Sequence, residues 1–221
     1  MSLDFLPLFP LPLVLFPGAR LPLHIFEPRY RQLLSDCLEG DRRFGLIRLP
    51  DGLAELEIPR GTVGCVAEIM EREMLADGRS NVLVVGRERF LLNDFRESPH
   101  PYHVARADPY SDELETGTEL EALAERIAEI FRRVGQAARI LSDDPDPLPE
   151  LPADPAMLSF AIAAVIDISL EARQELLSLR SPRERLRLLD NILSPAVGTI
   201  VRRAEVHTLA KTNGRGTRAE P

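Results

Sequence analysis

Lysine is almost missing from this 221-residue chain: of 27 basic residues only Lys211 is a lysine, and it lies in a Gly-, Thr- and Arg-rich tail. That scarcity excludes several chemistries. A phosphate-binding P-loop needs its lysine beside a Gly-rich turn, and no G-x-x-x-x-G-K-[ST] run occurs. A Ser-Lys dyad needs a desolvated lysine of lowered pKa, which a residue in a polar tail does not supply. No G-x-S-x-G nucleophile elbow is present either. Cysteine is scarce as well: Cys37 and Cys65 each sit in an apolar pattern, so buried free thiols in a reducing compartment are expected rather than a disulfide. No apolar run approaches the ~20 residues that span a bilayer. The apolar N-terminus carries Asp4 and is broken by Pro7, Pro10, Pro12 and Pro17, which does not suit a helical signal peptide. A cytoplasmic chain without membrane contact is the expectation.

Metal ligands and catalytic groups do not assemble in the pattern. His100-Pro-Tyr-His103 has no carboxylate or cysteine spacing to complete a site and reads as loop histidines. Asp143, Asp144 and Asp146 lack the glycine and the closing glutamate of a calcium loop. No catalytic residue, metal or cofactor is expected. The net charge of −8 divides as about −4 over residues 1–112, −6 over 113–208 and +2 over the tail, which argues against a nucleic-acid partner. Arg180, Arg183, Arg185, Arg187, Arg202 and Arg203 have no interleaved aromatics for base stacking and read as solvated helix faces.

What is present is strongest between residues 6 and 31. Leu11 to Phe16 and Leu21 to Phe26 are short branched and aromatic stretches bounded by Pro and Gly, the signature of strands, with Pro17-Gly18 as the turn between them. Pro7-x-x-Pro10-x-Pro12 could be a polyproline ligand, but the interleaved leucines and phenylalanine favour a sheet-edge strand. Glu27-Pro28 sets a helix start, and Tyr30, Leu33, Leu34, Cys37 and Leu38 give its apolar stripe, with Gly40 to end it. Phe44 to Leu49, Gly61 to Ile69, Val82 to Leu92 and Tyr102 to Ala107 read as further strands, and Asp77-Gly78 as a hairpin turn.

From about Leu114 the period changes to 3.6. Leu120, Leu123, Ala124, Ile127, Phe131, Val134, Ala138 and Leu141 mark a long helix. Residues 142–155 hold five prolines and five acids and read as a loop. Asp154-Pro155 opens an apolar helix, Ser169 caps the next, and Ser181-Pro-Arg-Glu184 forms a capping box for a last helix that Pro195 interrupts.

The opening block, Phe44-Gly45, Gly61-Thr62-Val63, Asp77-Gly78-Arg79 and Gly86 with Arg89-Phe90, in that order, resemble the substrate-binding domain of Lon proteases. Leu170 to Leu177 followed by Ser181 to Leu189 is similar to that domain's helical half, so the resemblance covers roughly residues 5 to 205. The ATPase and protease modules of Lon enzymes are not part of it. The resemblance implies an α+β chain: an N-terminal PUA-like mixed β-barrel with one covering helix over residues 1–112, a C-terminal α-helical bundle over 113–208, and a disordered tail over 209–221. It also implies a non-enzymatic binder of unfolded or degron-bearing polypeptide, with a protease as a candidate partner. A small-ligand or RNA-binding module built on the barrel is the alternative. Contact with substrate is implied for Phe26, Glu27, Pro28, Arg29 and Tyr30, with Phe26 or Tyr30 as apolar anchor and Arg29 as polar contact; the same residues could simply fix the helix start.

Overall fold

The computed structural model describes residues 3–213, so most of the expected tail lies outside the described residues. Six strands, a short 3-10 turn and five α-helices make up a mixed α+β chain. The strands are β1 (Leu3–Leu11), β2 (Arg20–Ile25), β3 (Arg43–Arg48), β4 (Val63–Met74), β5 (Ser80–Arg96) and β6 (Val104–Pro109). The helices are α1 (Pro28–Glu39), α2 (Thr118–Ser142), α3 (Pro155–Val165), α4 (Leu170–Ser178) and α5 (Pro182–Asn213). The sheet order is β2-β5-β4-β3-β1-β6, and β6 pairs again with β5, so five strands close a hydrogen-bonded circuit with β2 as an outlying edge.

Two clusters fill this sheet. One packs Leu6, Leu8, Ile47, Val66, Phe90 and Leu92 with Ala105 and Ala107. Phe90 is wholly buried, and glycine is required opposite it: a Cβ on Gly64 would stand 2.3 Å from the Phe90 ring, and one on Gly45 2.9 Å. The interior of the circuit is therefore occupied by side chains, as small barrels are. The other cluster joins Phe9, Leu15 and Phe44 to the α1 stripe of Tyr30, Leu33, Leu34 and Cys37. The stripe is the one the i, i+3, i+4, i+7 spacing predicts. Pro28 occupies the first turn and Gly40 closes the helix, its amide bonding Asp36 and Cys37 carbonyls.

The first strand differs from expectation. It spans Leu3–Leu11 rather than Leu11 to Phe16. The amide of Leu13 turns back to the Leu11 carbonyl at 2.8 Å and ends it, while Val14, Leu15 and Phe16 are buried without joining a ladder. Nor does β1 lie at the sheet edge. Its first half pairs antiparallel with β6 and its second half parallel with β3. Because each half is paired mainly on one side, the missing amide hydrogens of Pro7 and Pro10 are tolerated.

By contacts the chain forms two compact units. Among the described residues, unit 1 holds 3–113 together with 160–181, and unit 2 holds 114–159 and 182–213. The first division falls beside the expected one, but α4 and most of α3 group with the strands and not with α2 and α5. Gln174 shows why: its amide donates to the Val63 carbonyl at 2.9 Å, tying α4 to β4. Phe160 meets Phe16, with ring centroids 6.1 Å apart. Ser169 accepts the Ala172 amide at 3.2 Å, the cap its position predicts.

In unit 2, α2 packs against α5. Asp143 closes α2 in the left-handed region, at φ 55°, and its carboxylate pairs with Lys211. Of the arginines read as solvated faces, Arg187, Arg202 and Arg203 are exposed, while the other three are engaged. Arg185 is fully buried, its Nε donating to Ser159 Oγ at 2.9 Å, and Arg183 donates to Glu119 at 3.3 Å. In unit 1 the Arg180 Nε holds the Ser111 carbonyl at 2.9 Å.

Candidate functional site

The junction from β2 into α1 carries the residues singled out by sequence. Glu27 is the N-cap in extended conformation and its side chain makes no cap hydrogen bond. Pro28 follows in the first turn, where its fixed φ suits the helix and no amide hydrogen is needed. Phe26 projects into solvent, 59% exposed, with its ring stacked near the His24 imidazole at 6.2 Å. Tyr30 does the opposite. It is 4% exposed and packs on Phe9 with centroids 4.0 Å apart.

Of the two aromatic anchors expected, only Phe26 is exposed. Tyr30 is core because it occupies the first position of the α1 apolar stripe, one that must face the sheet. Its hydroxyl donates to Glu55 Oε1 at 3.0 Å. Burial raises its pKa, and the Glu55 carboxylate raises it further.

Arg29 is half-exposed, yet its guanidinium is engaged. Nη1 and Nη2 donate to the two Glu55 oxygens at 2.8 and 2.7 Å, and Nε donates to Glu27 at 3.0 Å. The guanidinium carbon also lies 4.4 Å from the Tyr30 ring centre. Burial opposes the Arg29 charge, but the Glu55 bonds prevail and raise its pKa. Bidentate geometry of this kind fixes both partners.

Glu55 is thus the hub of the junction and was not found in the sequence. It sits in the 3-10 turn Glu55–Glu57, inside a stretch without periodicity, and its partners are 25 and 26 residues away. His103, read as a loop histidine, joins it: Nε2 stands 3.0 Å from Glu55 Oε2. The result is a rigid ledge bearing one exposed aromatic, with the polar groups beneath it satisfied internally.

No group of three or more metal-ligating side chains gathers among the described residues. Both cysteines are buried and free. Burial pushes each thiol up to about 12, so neither is a nucleophile at neutral pH. No helix among the described residues is long and apolar enough to cross a membrane.

Comparison with known proteins places this architecture. Residues 5–194 match the family model of the ATP-dependent protease La (LON) substrate-binding domain. The Lon protease of Syntrophus aciditrophicus is 28% identical over 200 residues, covering 86% of this chain and 25% of that protein. That of Geobacter metallireducens is 28% identical over 212 residues, covering 94% and 26%. The chain spans about a quarter of the length of these curated relatives. Among solved structures, the N-terminal domain of Mycobacterium avium complex Lon protease superimposes with TM-score 0.67 at 16% identity, over 86% of this chain and 98% of that one. The Lon N-terminal domain protein from Xanthomonas campestris gives 0.59 at 28% identity, over 86% and 96%. By its sequence match and its fold, the chain belongs to the Lon substrate-binding domain family.

Proposed function

We propose that this chain binds unfolded or degron-bearing polypeptide in the cytoplasm and catalyses no reaction itself, with Phe26 as the apolar anchor and the Glu27-Pro28-Arg29 turn as its rigid mount. We also assign the closed strand circuit to the PUA-like class. One observation carries the binding reading: a large aromatic is 59% exposed at a junction whose other side chains are locked together. An apolar face costs little entropy to present when its support does not move, and non-directional apolar contact suits a ligand without fixed structure. Arg29 serves as support, since its donors are already spent on Glu55 and Glu27. Tyr30 belongs to the foundation.

Phe90, packed inside the circuit, weighs against the small-ligand alternative. RNA remains disfavoured by the net charge of −8. Fluorescence anisotropy against a labelled, permanently unfolded polypeptide and its folded counterpart, at low and high salt, tests the reading. Salt-tolerant preference for the unfolded chain, weakened by Phe26→Ser at an unchanged thermal midpoint, is the expected result. Equal binding of both forms, or indifference to Phe26→Ser, counts against it.

A further inference from the structure

The strand circuit of unit 1 has a seam. β1 pairs with β6 at Leu3, Leu6 and Pro7, with a register shift between Leu3 and Leu6, but joins β3 only from Leu8 onward. Arg43, the first residue of β3, pairs with β4 alone, so β1 and β3 part at this end. A groove of about 460 Å³ lies along the parted strands, lined by Asp4, Phe5 and Leu6 of β1 and by Asp36, Asp41 and Tyr102.

Its chemistry is mixed. Leu6 is buried and Phe5 is 77% exposed. Three carboxylates share the lining, while Arg43, the cation among them, is engaged by Glu68 at 3.4 Å and Glu88 at 3.2 Å. The Tyr102 hydroxyl donates to Asp36 at 2.7 Å and holds that carboxyl below the usual carboxylate range; the Gln32 amide donates to its other oxygen at 2.7 Å, and His100 of the same lining stands 3.3 Å away. Asp41 accepts the Arg43 amide at 3.1 Å through Oδ1.

We propose that this seam takes an extended basic and apolar polypeptide segment, which adds along the open side of β1, sets an apolar side chain on Phe5 and places Lys or Arg against Asp4, Asp36 and Asp41. The inference rests on the polypeptide reading above and gives it a substrate class. Strand addition supplies affinity through the main chain, and alternate side chains supply selectivity. Another open strand side is less fit for it. On the distal part of β4, the Arg42 guanidinium already holds the Ile69 carbonyl at 3.0 Å.

The test uses short labelled peptides of equal length with alternating Leu-Lys, Leu-Ser or Leu-Glu, titrated into the full chain and into Phe5→Ser/Asp41→Asn and Phe26→Ser. Both sets of substitutions fall on exposed side chains, and asparagine keeps the acceptor for the Arg43 amide, so thermal midpoints should hold. The expected result is Leu-Lys binding about fivefold tighter than Leu-Ser, the scale of one exposed charge pair, with Leu-Glu weakest. Phe5→Ser/Asp41→Asn should erase that order, and Phe26→Ser should weaken unfolded protein without erasing it. Three equal affinities, or Leu-Lys binding unaltered in Phe5→Ser/Asp41→Asn, overturn the seam while polypeptide binding through Phe26 stands. Self-association abolished by Phe5→Ser makes the seam an interface between copies and overturns it too. If neither peptides nor unfolded protein bind, the polypeptide reading falls and the seam with it.

Discussion

Two neighbouring aromatics, Phe26 and Tyr30, differ in burial, one exposed and one in the core, and single substitutions separate them. Tyr30→Ala empties a site that packs on Phe9 and removes a donor from Glu55, so it should lower stability by about 3–5 kcal/mol. Tyr30→Phe keeps the packing and should cost about 1–2 kcal/mol. Chemical denaturation measures both. A Tyr30→Ala protein as stable as the parent would show that the ring is not core. Tyr102 and Asp36 form a second pair, and there the sign of the pH dependence can be worked out. Asp36 titrates lower in the fold than in the open chain, first because Tyr102 donates to it, so its contribution is present above its ordinary carboxylate pKa and fades as pH falls through the lowered value. The Tyr102 hydroxyl is raised, by burial and then by Asp36, so its contribution is present below pH about 10 and fades on going more alkaline. Tyr102→Phe should flatten both limbs of a plot of thermal midpoint against pH. Unchanged limbs would assign them to other groups. The sequence showed the helix stripe that contains Tyr30, but a stripe position does not announce whether the ring faces core or partner, and only the fold divides Tyr30 from Phe26.

Elements bounded by local chemistry were the most legible. Pro28 and Gly40 delimit α1, Asp77-Gly78 makes the β4–β5 hairpin with Gly78 at φ 82°, and Ser169 caps α4. Each signal acts within a few residues of the boundary it sets. What was misread depends on distant partners. Past Leu11, the stretch to Phe16 has a strand's composition but joins no ladder, whereas β1 lies where β6 and β3 offer partners. The company of α4 was equally hidden, since it is set by Arg89, a buried residue of β5 whose carbonyl partners lie 88 and 90 residues away. Its Nη1 donates to the Leu177 and Leu179 carbonyls at 2.5 and 2.7 Å, and its Nη2 pairs with Asp112. The guanidinium carbon also lies 5.2 Å from the Phe160 ring centre. Arg89→Ala would leave a carboxylate and two carbonyls short of a donor, with an expected loss of about 3–5 kcal/mol. Arg89→Lys should recover only part of it, because an ammonium cannot reproduce the planar fork. Amide exchange in α4 would report the change most directly; protection equal to the parent's would remove Arg89 from the role assigned to it.

At the scale of the whole molecule, unit 1 is assembled from two separate stretches, residues 3–113 and 160–181. A fragment ending at Glu113 lacks Gln174, Phe160 and the carbonyls that Arg89 holds. It should unfold below the parent's midpoint and bind a hydrophobic dye, and a peptide of residues 160–181 added in trans should reverse both. A fragment as stable as the parent would make the second stretch an accessory. The same arrangement governs how the protein is born. A ribosome finishes all six strands by Pro109, then makes 72 further residues to reach Ser181. At ~5–20 residues per second that interval lasts roughly 4–14 s. Throughout it the nascent sheet must keep Arg89 and Phe16 without their later neighbours, so the codons of residues 114–159 set how long the youngest form of this protein is itself a client for chaperones.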